Sequence, residues 1–398
     1  MAVSFRSTWS EAAVRFRDHR APSMLTGCLI NLVYAVYLTG VPVIMTSVGH
    51  TFHLGLDAQA RLFPASFGGL TLGVLLSGSL SDKLGRKLLL LASIGCFAVG
   101  ALWFAEAGSF SQIMAAAALA GAGSGSMQTV SNALLSDLFP RRRELALSIT
   151  QTMFGLGAFL GPFIILTLVH LSGWESAYRL MAVIGAILFV GQAMQVVANA
   201  KPQAEGTKVP WTNPLLLLIA LAAFLYSGCE VSYWGWVPKY LQSRSMTTVA
   251  AAVISVFWLA MTFGRAVTGI LAARFSSTTL VMLMMSTSAV MGLLTLFGPH
   301  TPLILGLVAL TGLAMAGTYG LLLSLTANMF PADAGAALGL VAAMGGAGGA
   351  VLPWLTGYLL KFVHWHCALL VPVVGDVLVA LLAVAIATMK GSTKCVAQ

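Results

Sequence analysis

The segment GSLSDKLGRKLLLL, residues 78–91, gathers four charged residues between two long apolar runs. Its two glycines allow backbones to approach closely in a tight turn, and Asp82 is placed to accept hydrogen bonds from a helix N-terminus or a neighbouring arginine. Arg86 and Lys87 suit contact with lipid headgroups. The pattern predicts a short turn at a membrane surface that joins two membrane-spanning helices.

The composition of the whole chain supports a membrane location. Of 398 residues, 58% are hydrophobic and 8% are charged, whereas soluble domains carry about 25% charged residues. Only helices and closed barrels satisfy the backbone in lipid, and a spanning helix needs about 20 mostly apolar residues. The runs are long and lack the alternation of barrel strands, so we predict twelve spanning helices. They cover residues 23–48, 58–81, 86–107, 112–138, 144–169, 177–199, 214–238, 248–273, 277–297, 302–329, 333–359 and 367–389.

Twelve crossings divide the loops and tails between the two sides of the membrane. The basic residues are distributed unevenly between these sides. With both tails on one side, that side holds 16 of the 21 lysines and arginines. The other side holds Arg61, Arg179, Lys239, Arg244 and Lys361. By the positive-inside rule, we expect both termini in the cytoplasm and the protein in the inner (plasma) membrane. The net charge of +9 then reflects topology and lipid contact, and we expect no nucleic-acid partner.

An internal repeat relates the two halves of the chain at a shift of 191 residues. The repeat pairs Gly73 with Gly264, Gly121 with Gly312, Phe139-Pro140 with Phe330-Pro331, Pro162 with Pro353, and Trp174 with Trp365. Two six-helix halves in the same orientation are related by an axis along the membrane normal. A binding site is then expected between the halves, near the middle of the membrane.

The repeat and the polar segments together predict the organisation of the chain. We expect an all-α integral membrane protein whose twelve transmembrane helices form two pseudo-symmetric six-helix bundles. The predicted parts are a cytoplasmic tail at residues 1–22, a first bundle at 23–199, a cytoplasmic linker at 200–213, a second bundle at 214–389 and a cytoplasmic tail at 390–398.

Residues 78–91 resemble, almost position for position, the signature loop of the major facilitator superfamily. GRAVTGILAARF, residues 264–275, is similar to the degraded copy that the second half of such proteins carries. The resemblance implies the major facilitator fold and transport by alternating access. It also implies that this loop gates transport through a charge network between the halves. The alternative is that the turn only fixes the topology. The gating residues would be Gly78, Asp82, Gly85, Arg86 and Lys87.

Further segments resemble one branch of that superfamily, the fucose, galactose and glucose:proton symporters. They are YSGCEVSYWGWVPKYL at 226–241, QTVSNALLSDLFP at 128–140, GLGAFLGP at 155–162 and GGAGGAVLPWLTGYL at 345–359. The chain departs from the fucose-type members, which carry a carboxylate four residues before the asparagine of span four. Gln128 holds that place before Asn132 here. The proton-coupling chemistry is therefore expected elsewhere in this chain.

Two carboxyl groups are predicted deep in the membrane, Glu230 in span seven and Asp376 in span twelve. An ionised group is costly in lipid and burial favours the neutral form, so either group could take up a proton on one side and release it on the other. We predict both as proton-coupling residues. A carboxyl that only hydrogen-bonds a neighbouring helix is the alternative, and it is favoured for Asp376.

Aromatic and amide side chains accumulate in the spans expected around the site. Rings offer flat apolar faces with polar tips, which suit the C–H faces and the hydroxyl rim of a sugar. Core packing, or hydrogen bonds that only tie helices together, is the alternative for each residue. The predicted substrate-binding residues are Asn31, Tyr34, Tyr37, Gln128, Asn132, Gln151, Tyr226, Tyr233, Trp234, Trp258 and Tyr319.

The function predicted from these residues is proton-coupled import of a small neutral solute, a sugar or polyol, by a monomer without a cofactor. No lysine or arginine is expected deep in a span, which favours a neutral substrate over an anion. The alternative is a proton-driven exporter of apolar or cationic compounds, since GLGAFLGP partly resembles an antiporter motif of the superfamily. A membrane enzyme would need a nucleophile with a base, or a metal cluster, and we identify no catalytic or metal-binding residues.

Overall fold

The computed structural model describes residues 4–195, 212–298, 303–331 and 334–396, and in these ranges the regular structure is entirely helical. A short 3₁₀ turn at Pro140–Arg142 precedes α6. The helices are α1 Ser4–Thr51, α2 Leu56–Gln59, α3 Leu62–Leu84, α4 Arg86–Ala105, α5 Phe110–Leu138, α6 Arg143–Ser172, α7 Trp174–Met194, α8 Pro214–Ser243, α9 Thr247–Ala272, α10 Ser277–Phe297, α11 Ile304–Met315, α12 Thr318–Met329, α13 Ala334–Leu359, α14 Trp365–Ala368 and α15 Leu370–Val396.

Eleven segments within the described ranges are long and apolar enough to cross a membrane. The twelfth crossing is α5, whose 29 residues include the run AAAALAGAGSGS. Small residues lower the hydropathy of α5, but they let it pack closely against α3 and α4, as is common between membrane helices. The predicted all-α membrane protein with twelve transmembrane helices is confirmed.

The internal repeat predicted from the sequence also appears as equivalent helix–helix contacts in the two halves. A Cβ on Gly73 of α3 would collide with the backbone of Ala122 in α5, and a Cβ on Gly264 of α9 would collide with the backbone of Leu313 in α11. Residues 122 and 313 are themselves 191 positions apart. Equivalent glycines therefore allow equivalent helix pairs to approach in each half, as the pseudo-symmetric bundle requires.

Several predicted boundaries differ from the helices of the structure. α1 is one continuous helix from Ser4 into the first span, although residues 1–22 were expected to form a tail. α15 continues to Val396, seven residues beyond the predicted end of the last span. Most of the predicted linker, residues 200–211, lies outside the described residues. The division of the chain into these domains stays a prediction.

The tenth predicted span is not one helix. α11 ends at Met315 and α12 begins at Thr318, so the helix is interrupted at Ala316 and Gly317. A Cβ on Gly317 would collide with Thr268 of α9, so glycine is needed for this close approach. Interrupted helices leave carbonyl groups free for other partners, and in transporters they often border binding sites.

The two halves are in contact on the side away from the chain termini. Twelve crossings place both termini on one side, called here the termini side, and the opposite side is called the far side. Lys239 near the end of α8 donates a hydrogen bond to Gln59 of α2, and Lys361 lies 4.0 Å from Asp57. Phe63 of α3 packs on Trp236 of α8, with ring centroids 6.0 Å apart. These contacts close the space between the halves on the far side.

Candidate functional site

Glu230 lies near the middle of α8 and is half-buried. Four side chains interact electrostatically with its carboxyl group. One is Tyr226 of α8 itself, and the others come from three further helices: Tyr34 of α1, Arg265 of α9 and Tyr319 of α12. Both halves of the chain therefore contribute to its surroundings. The predicted proton-coupling residue is placed where the halves meet, as the internal repeat required.

The interrupted helix forms one wall of this site. The hydroxyl of Tyr226 donates a hydrogen bond to the carbonyl oxygen of Met315, the last residue of α11, at 3.0 Å. The ring of Tyr226 stacks on Tyr319 with the centroids 6.3 Å apart. Tyr226 thus joins the helix that carries Glu230 to both pieces of the interrupted span. A proton or solute at Glu230 would be in direct reach of this junction.

A row of aromatic rings continues the wall across both halves. Tyr34 lies 5.6 Å from Phe154, Phe154 lies 5.3 Å from Trp258, and Trp258 lies 6.3 Å from Trp234, measured between ring centroids. Phe67 of α3 completes the row against Trp234 at 6.2 Å. Tyr34, Trp234 and Trp258 were predicted as substrate-binding residues, and the structure brings them together. Rings in such a row offer apolar faces to a bound solute.

Arg265 is the principal departure from the sequence interpretation. Its guanidinium carbon lies 5.9 Å from the ring centroid of Phe154 and 5.9 Å from that of Trp258. A helical side chain points toward the N-terminus of its own helix, and for α9 this direction leads from the termini side into the membrane. Arg265 is exposed, and its side chain brings a cation to the rings of the site, which the sequence did not lead us to expect. The argument for a neutral substrate loses that support.

Amide side chains lie in the first half. The Nδ2 of Asn31 donates to the carbonyl oxygen of Gly27 at 2.9 Å and to Oδ1 of Asn132 at 3.4 Å, which links α1 to α5. Asn132 and Gln128 are half-buried, and Gln151 of α6 is exposed. Asn31 is fully buried, and its Oδ1 has no hydrogen-bond partner in the protein. Asn31 and Asn132 form a pair, and Gln128 lies one helical turn from it.

Two predicted site residues are packed inside their own half. Tyr37 is fully buried in the first half, where its hydroxyl donates to the carbonyl oxygen of Ala117 at 3.0 Å. Tyr233 is 5% exposed, and its hydroxyl fills the space that a Cβ on Gly292 of α10 would need. Its position three residues after Glu230 turns it toward α10. Both side chains pack within their own halves in this structure, and a role for Tyr37 and Tyr233 in substrate binding stays a prediction.

Asp376 does not reach the space between the halves. It is 0% exposed on α15, and Ser288 of α10 donates a hydrogen bond to its Oδ2 at 2.6 Å. The hydrogen bond ties two helices of the second half together. The structure therefore favours the structural alternative for Asp376 over the predicted role in proton coupling.

The predicted gating residues make their contacts within the first half. Arg86 forms an ion pair with Asp137 at 2.8 Å, and Lys87 donates to the carbonyl oxygens of Ala193 and Gln195. Gly85 has a φ of 78°, a left-handed backbone conformation that favours glycine at this turn. Among the described contacts of Arg86 and Lys87 none reaches the second half, and their role in gating stays a prediction. The side chain of Asp82 and the surroundings of Gly78 lie outside the described residues.

A cavity of about 290 Å³ lies on the far side between the halves. Thr46, Gly49 and His50 of α1 line it together with Lys239 and Trp365 of the second half. Lys239 is 7% exposed, and its ammonium also lies over the ring of Trp236 at 5.8 Å. The cavity adjoins the hydrogen bond between Lys239 and Gln59 and belongs to the closed far side. Within the described residues no three His, Cys, Asp or Glu side chains are grouped as a metal site would require.

An exposed ion pair lies on the far side of the first half. Arg179 donates a hydrogen bond to Glu106 at 2.7 Å, which holds the pKa of Glu106 below its ordinary value. A carboxyl with a lowered pKa in the folded state adds stability at neutral pH, and this is lost as the pH falls through that pKa. Because both side chains are more than half exposed, solvent screens the pair. It has no part in the central site.

The family model of the Major Facilitator Superfamily matches residues 24–301 and again residues 248–392. The chain belongs to the major facilitator superfamily. The resemblance drawn from residues 78–91 is thereby confirmed, and the protein is a membrane transporter, not an enzyme.

Relatives within this superfamily differ in what their names say they carry. The glucose/mannose transporter GlcP of Bacillus subtilis is 23% identical over 352 residues, covering 82% of this chain and 87% of GlcP. A gentisate transporter of Corynebacterium glutamicum is 26% identical over 353 residues, covering 80% of this chain and 76% of that protein. The methylenomycin A resistance protein of Streptomyces coelicolor is 29% identical over 186 residues, covering 46% of this chain and only 38% of that protein.

A solved structure supports the fold. The E. coli fucose:proton symporter FucP matches with a TM-score of 0.65 and 17% sequence identity, covering 92% of this chain and 99% of FucP. At this identity the likeness shows the fold alone.

Proposed function

We propose that this superfamily member is a proton-coupled secondary transporter that imports a small hydroxylated solute, of the sugar or polyol class, by alternating access. The observation that carries the proposal is the position of Glu230. Its carboxyl group is half-buried between the halves, among tyrosines from α1, α8 and α12. An ionisable group inside a membrane protein that faces such a space is suited to carry a proton.

The surroundings of Glu230 provide a physical route for coupling. Protonation removes a negative charge beside Tyr226, whose hydroxyl holds the end of α11 through Met315. An interrupted helix has fewer internal hydrogen bonds to lose, so it can shift at lower cost than a continuous one. A change of charge at Glu230 would thus alter the packing of the interrupted span against α8. In this way protonation favours solute binding or the return of the empty transporter.

Alternating access follows from the way the halves meet. The far side is closed by contacts such as that between Lys239 and Gln59. Rocking one half against the other would open the far side and close the termini side around the same central site. The excess of basic residues on the termini side supports a cytoplasmic location for both termini, in the plasma membrane. The closed far side is then the external one, and we propose a monomer as the transporting unit.

The walls of the site support a hydroxylated solute. Aromatic faces from Tyr34, Trp234 and Trp258 suit the C–H faces of a ring. The amides of Asn132 and Gln128 offer both donors and acceptors for hydroxyl groups. Similarity to a glucose/mannose transporter over 82% of the chain agrees with this class.

Export of apolar or cationic compounds is the second candidate function. The methylenomycin A resistance protein supports it over 46% of this chain. In an exporter, protons would enter as the compound leaves, so the two fluxes would have opposite directions. The direction of solute movement under a defined pH gradient separates the two functions.

The test is solute transport by the purified full-length protein in proteoliposomes with an inward proton gradient. A panel of labelled sugars, polyols, organic acids and organic cations identifies the solute. Glu230→Gln is expected to abolish accumulation driven by the gradient while sparing exchange of solute between the two sides. Asp376→Asn is the matched control and should still accumulate solute. Gradient-driven accumulation by Glu230→Gln would overturn the proposal.

A further inference from the structure

We propose that the transported solute carries a carboxylate in addition to its hydroxyl groups, and that Arg265 is the residue that binds this carboxylate. The inference rests on the proposed function, proton-coupled import of a hydroxylated solute, and specifies that this solute is an acid. It concerns a residue that was expected to mark only the membrane surface. The chemistry is that of a hydroxylated monocarboxylate with a flat apolar face.

Arg265 is exposed, and its guanidinium lies beside the rings of the central site without an acidic partner in the described part of the chain. Its Nη2 has a contact of 3.8 Å with the sulfur of Met261, and its other near neighbours are the rings of Phe154 and Trp258. Within the described part of the chain no carboxylate lies within ion-pair distance of it. Ring faces and a thioether hold a cation in place, but they leave its five N–H donors largely unused. A cation placed this way is preorganised to receive an anion.

A second donor lies on the same wall. Trp258 is 3% exposed, and its indole N–H has no hydrogen-bond partner in the protein. A buried N–H without a partner is costly, and such groups often belong to binding sites. The same ring that supports the guanidinium of Arg265 therefore carries a free donor of its own. Two unused donors on one wall fit a ligand with several acceptor sites, as the two oxygens of a carboxylate provide.

The carboxyl group of Glu230, opposite in charge to Arg265, orients the solute in the site. Glu230 interacts electrostatically with Arg265, yet the two do not form an ion pair. The site therefore has a positive end and an acidic end, with rings between them. A carboxylate at Arg265 places the remainder of the solute toward Glu230, where a hydroxyl group can donate to the carboxyl oxygen. A solute with two carboxylates would put like charges together at Glu230.

Two kinds of solute share this chemistry, hydroxylated aromatic acids and sugar acids. The rings of Phe154 and Trp258 beside Arg265 provide flat faces that suit either an aromatic ring or the C–H face of a pyranose. The pair 4-hydroxybenzoate and 4-hydroxybenzamide tests whether the solute is a hydroxylated aromatic acid, because the amide has nearly the same shape without the charge. The pair galacturonate and galactose tests in the same way whether the solute is a sugar acid.

The experiment measures the binding of these four compounds to the purified full-length protein by titration calorimetry. In at least one pair the acid should bind about tenfold to a hundredfold more tightly than its neutral partner, the range expected for hydrogen bonds to a charged group. Arg265→Gln should remove this preference, and Arg265→Lys should keep part of it, since lysine retains the charge without the planar fork. Arg274→Gln, at an exposed arginine nine residues further along, is the matched control and should leave the preference unchanged. Trp258→Phe keeps a ring but removes the N–H, and should weaken binding of the acid more than that of its neutral partner.

Equal binding of the acid and its neutral partner in both pairs by the unaltered protein would overturn the inference, and this comparison needs no variant. An undiminished preference in Arg265→Gln would also overturn it. If neutral galactose drives proton uptake equally well in the unaltered protein and in Arg265→Gln, the inference fails while the proposed function stands. If the acid binds through Arg265 but no solute moves with protons, the inference holds and the proposed coupling fails.

Discussion

Tyr226 is the residue whose alteration most clearly separates stability from transport. Its hydroxyl donates to the carbonyl oxygen of Met315 at 3.0 Å, at the interruption between α11 and α12. Tyr226→Phe keeps the ring, and hence the stacking on Tyr319, but leaves a buried carbonyl oxygen without this partner. We expect a loss of about 1–3 kcal/mol in the free energy of unfolding, the cost of an unsatisfied buried polar group.

Tyr37→Phe is the matched control for this change. The hydroxyl of Tyr37 also donates to a backbone carbonyl oxygen at 3.0 Å, that of Ala117, and Tyr37 is fully buried. The two variants lose the same kind of bond with the same geometry, so their unfolding midpoints should fall by similar amounts, on the order of a few degrees. Only Tyr226 touches both the interrupted span and the surroundings of Glu230. Tyr226→Phe should therefore lower gradient-driven uptake about tenfold or more, whereas Tyr37→Phe should retain most of it.

The assay combines thermal unfolding in detergent with initial rates of solute uptake in proteoliposomes, each normalised to the amount of folded protein. Equal uptake by the two variants would refute the reasoning, because the hydrogen bond to Met315 would then contribute only stability. A much larger loss of stability in one variant would show that the two bonds are not equivalent and would refute the assigned magnitudes.

Two further predictions concern the contact between the halves and the packing inside one half. Lys239→Met should shift the equilibrium about tenfold toward states open on the far side, because it removes a buried hydrogen bond between the halves. Distances between spin labels on the far side measure this shift. Lys361→Met, whose exposed side chain lies 4.0 Å from its partner, should have little effect. Gly73→Ala should destabilise the protein by about 1–3 kcal/mol through overpacking against α5, whereas Gly68→Ala on the same helix meets open space and should be neutral or gain up to about 1 kcal/mol. Unfolding midpoints in detergent compare the two glycine variants, and equal midpoints would contradict the packing account.

Much of the architecture could be predicted because lipid leaves few choices. Backbone groups in a bilayer must be paired within helices, so long apolar runs predict spans directly. The shift of 191 residues predicted the two halves, and with them the central place of Glu230. The interruption of the helix at Ala316 and Gly317 could not be predicted from the sequence, because both residue types are common inside membrane helices. It depends on the approach of Gly317 to Thr268 of α9, which is a tertiary contact.

The differences between the expected and the observed surroundings of the site residues have a common geometric cause. Neighbouring positions on a helix face differ by a large angle, so Trp234 points to the other half while Tyr233, one residue earlier, packs against α10. Tyr37 was grouped with Tyr34 on the same helix, yet it turns into the first half. Arg265 was assigned to the membrane surface by its backbone position, whereas its long side chain extends back into the membrane.

Phe154 was missed altogether because a phenylalanine in an apolar span carries no signal of its own. Its ring meets that of Trp258 edge-on, with the centroids 5.3 Å apart, and lies 5.9 Å from the guanidinium carbon of Arg265, so it belongs to the site. Only the contact between α6 of the first half and α9 of the second brings these residues together. Residue type and helical periodicity describe one helix at a time. A site built from several helices needs the packing between them.

The central claim, that Glu230 carries the coupled proton, is tested most directly by counting protons when solute binds. The purified protein in weakly buffered detergent, mixed with the solute that the transport panel identifies, is monitored with a pH-sensitive dye. The unaltered protein and Asp376→Asn should both show a proton signal proportional to bound solute, and Glu230→Gln should bind solute with no such signal. A full proton signal in Glu230→Gln, or its loss in Asp376→Asn alone, would contradict the account.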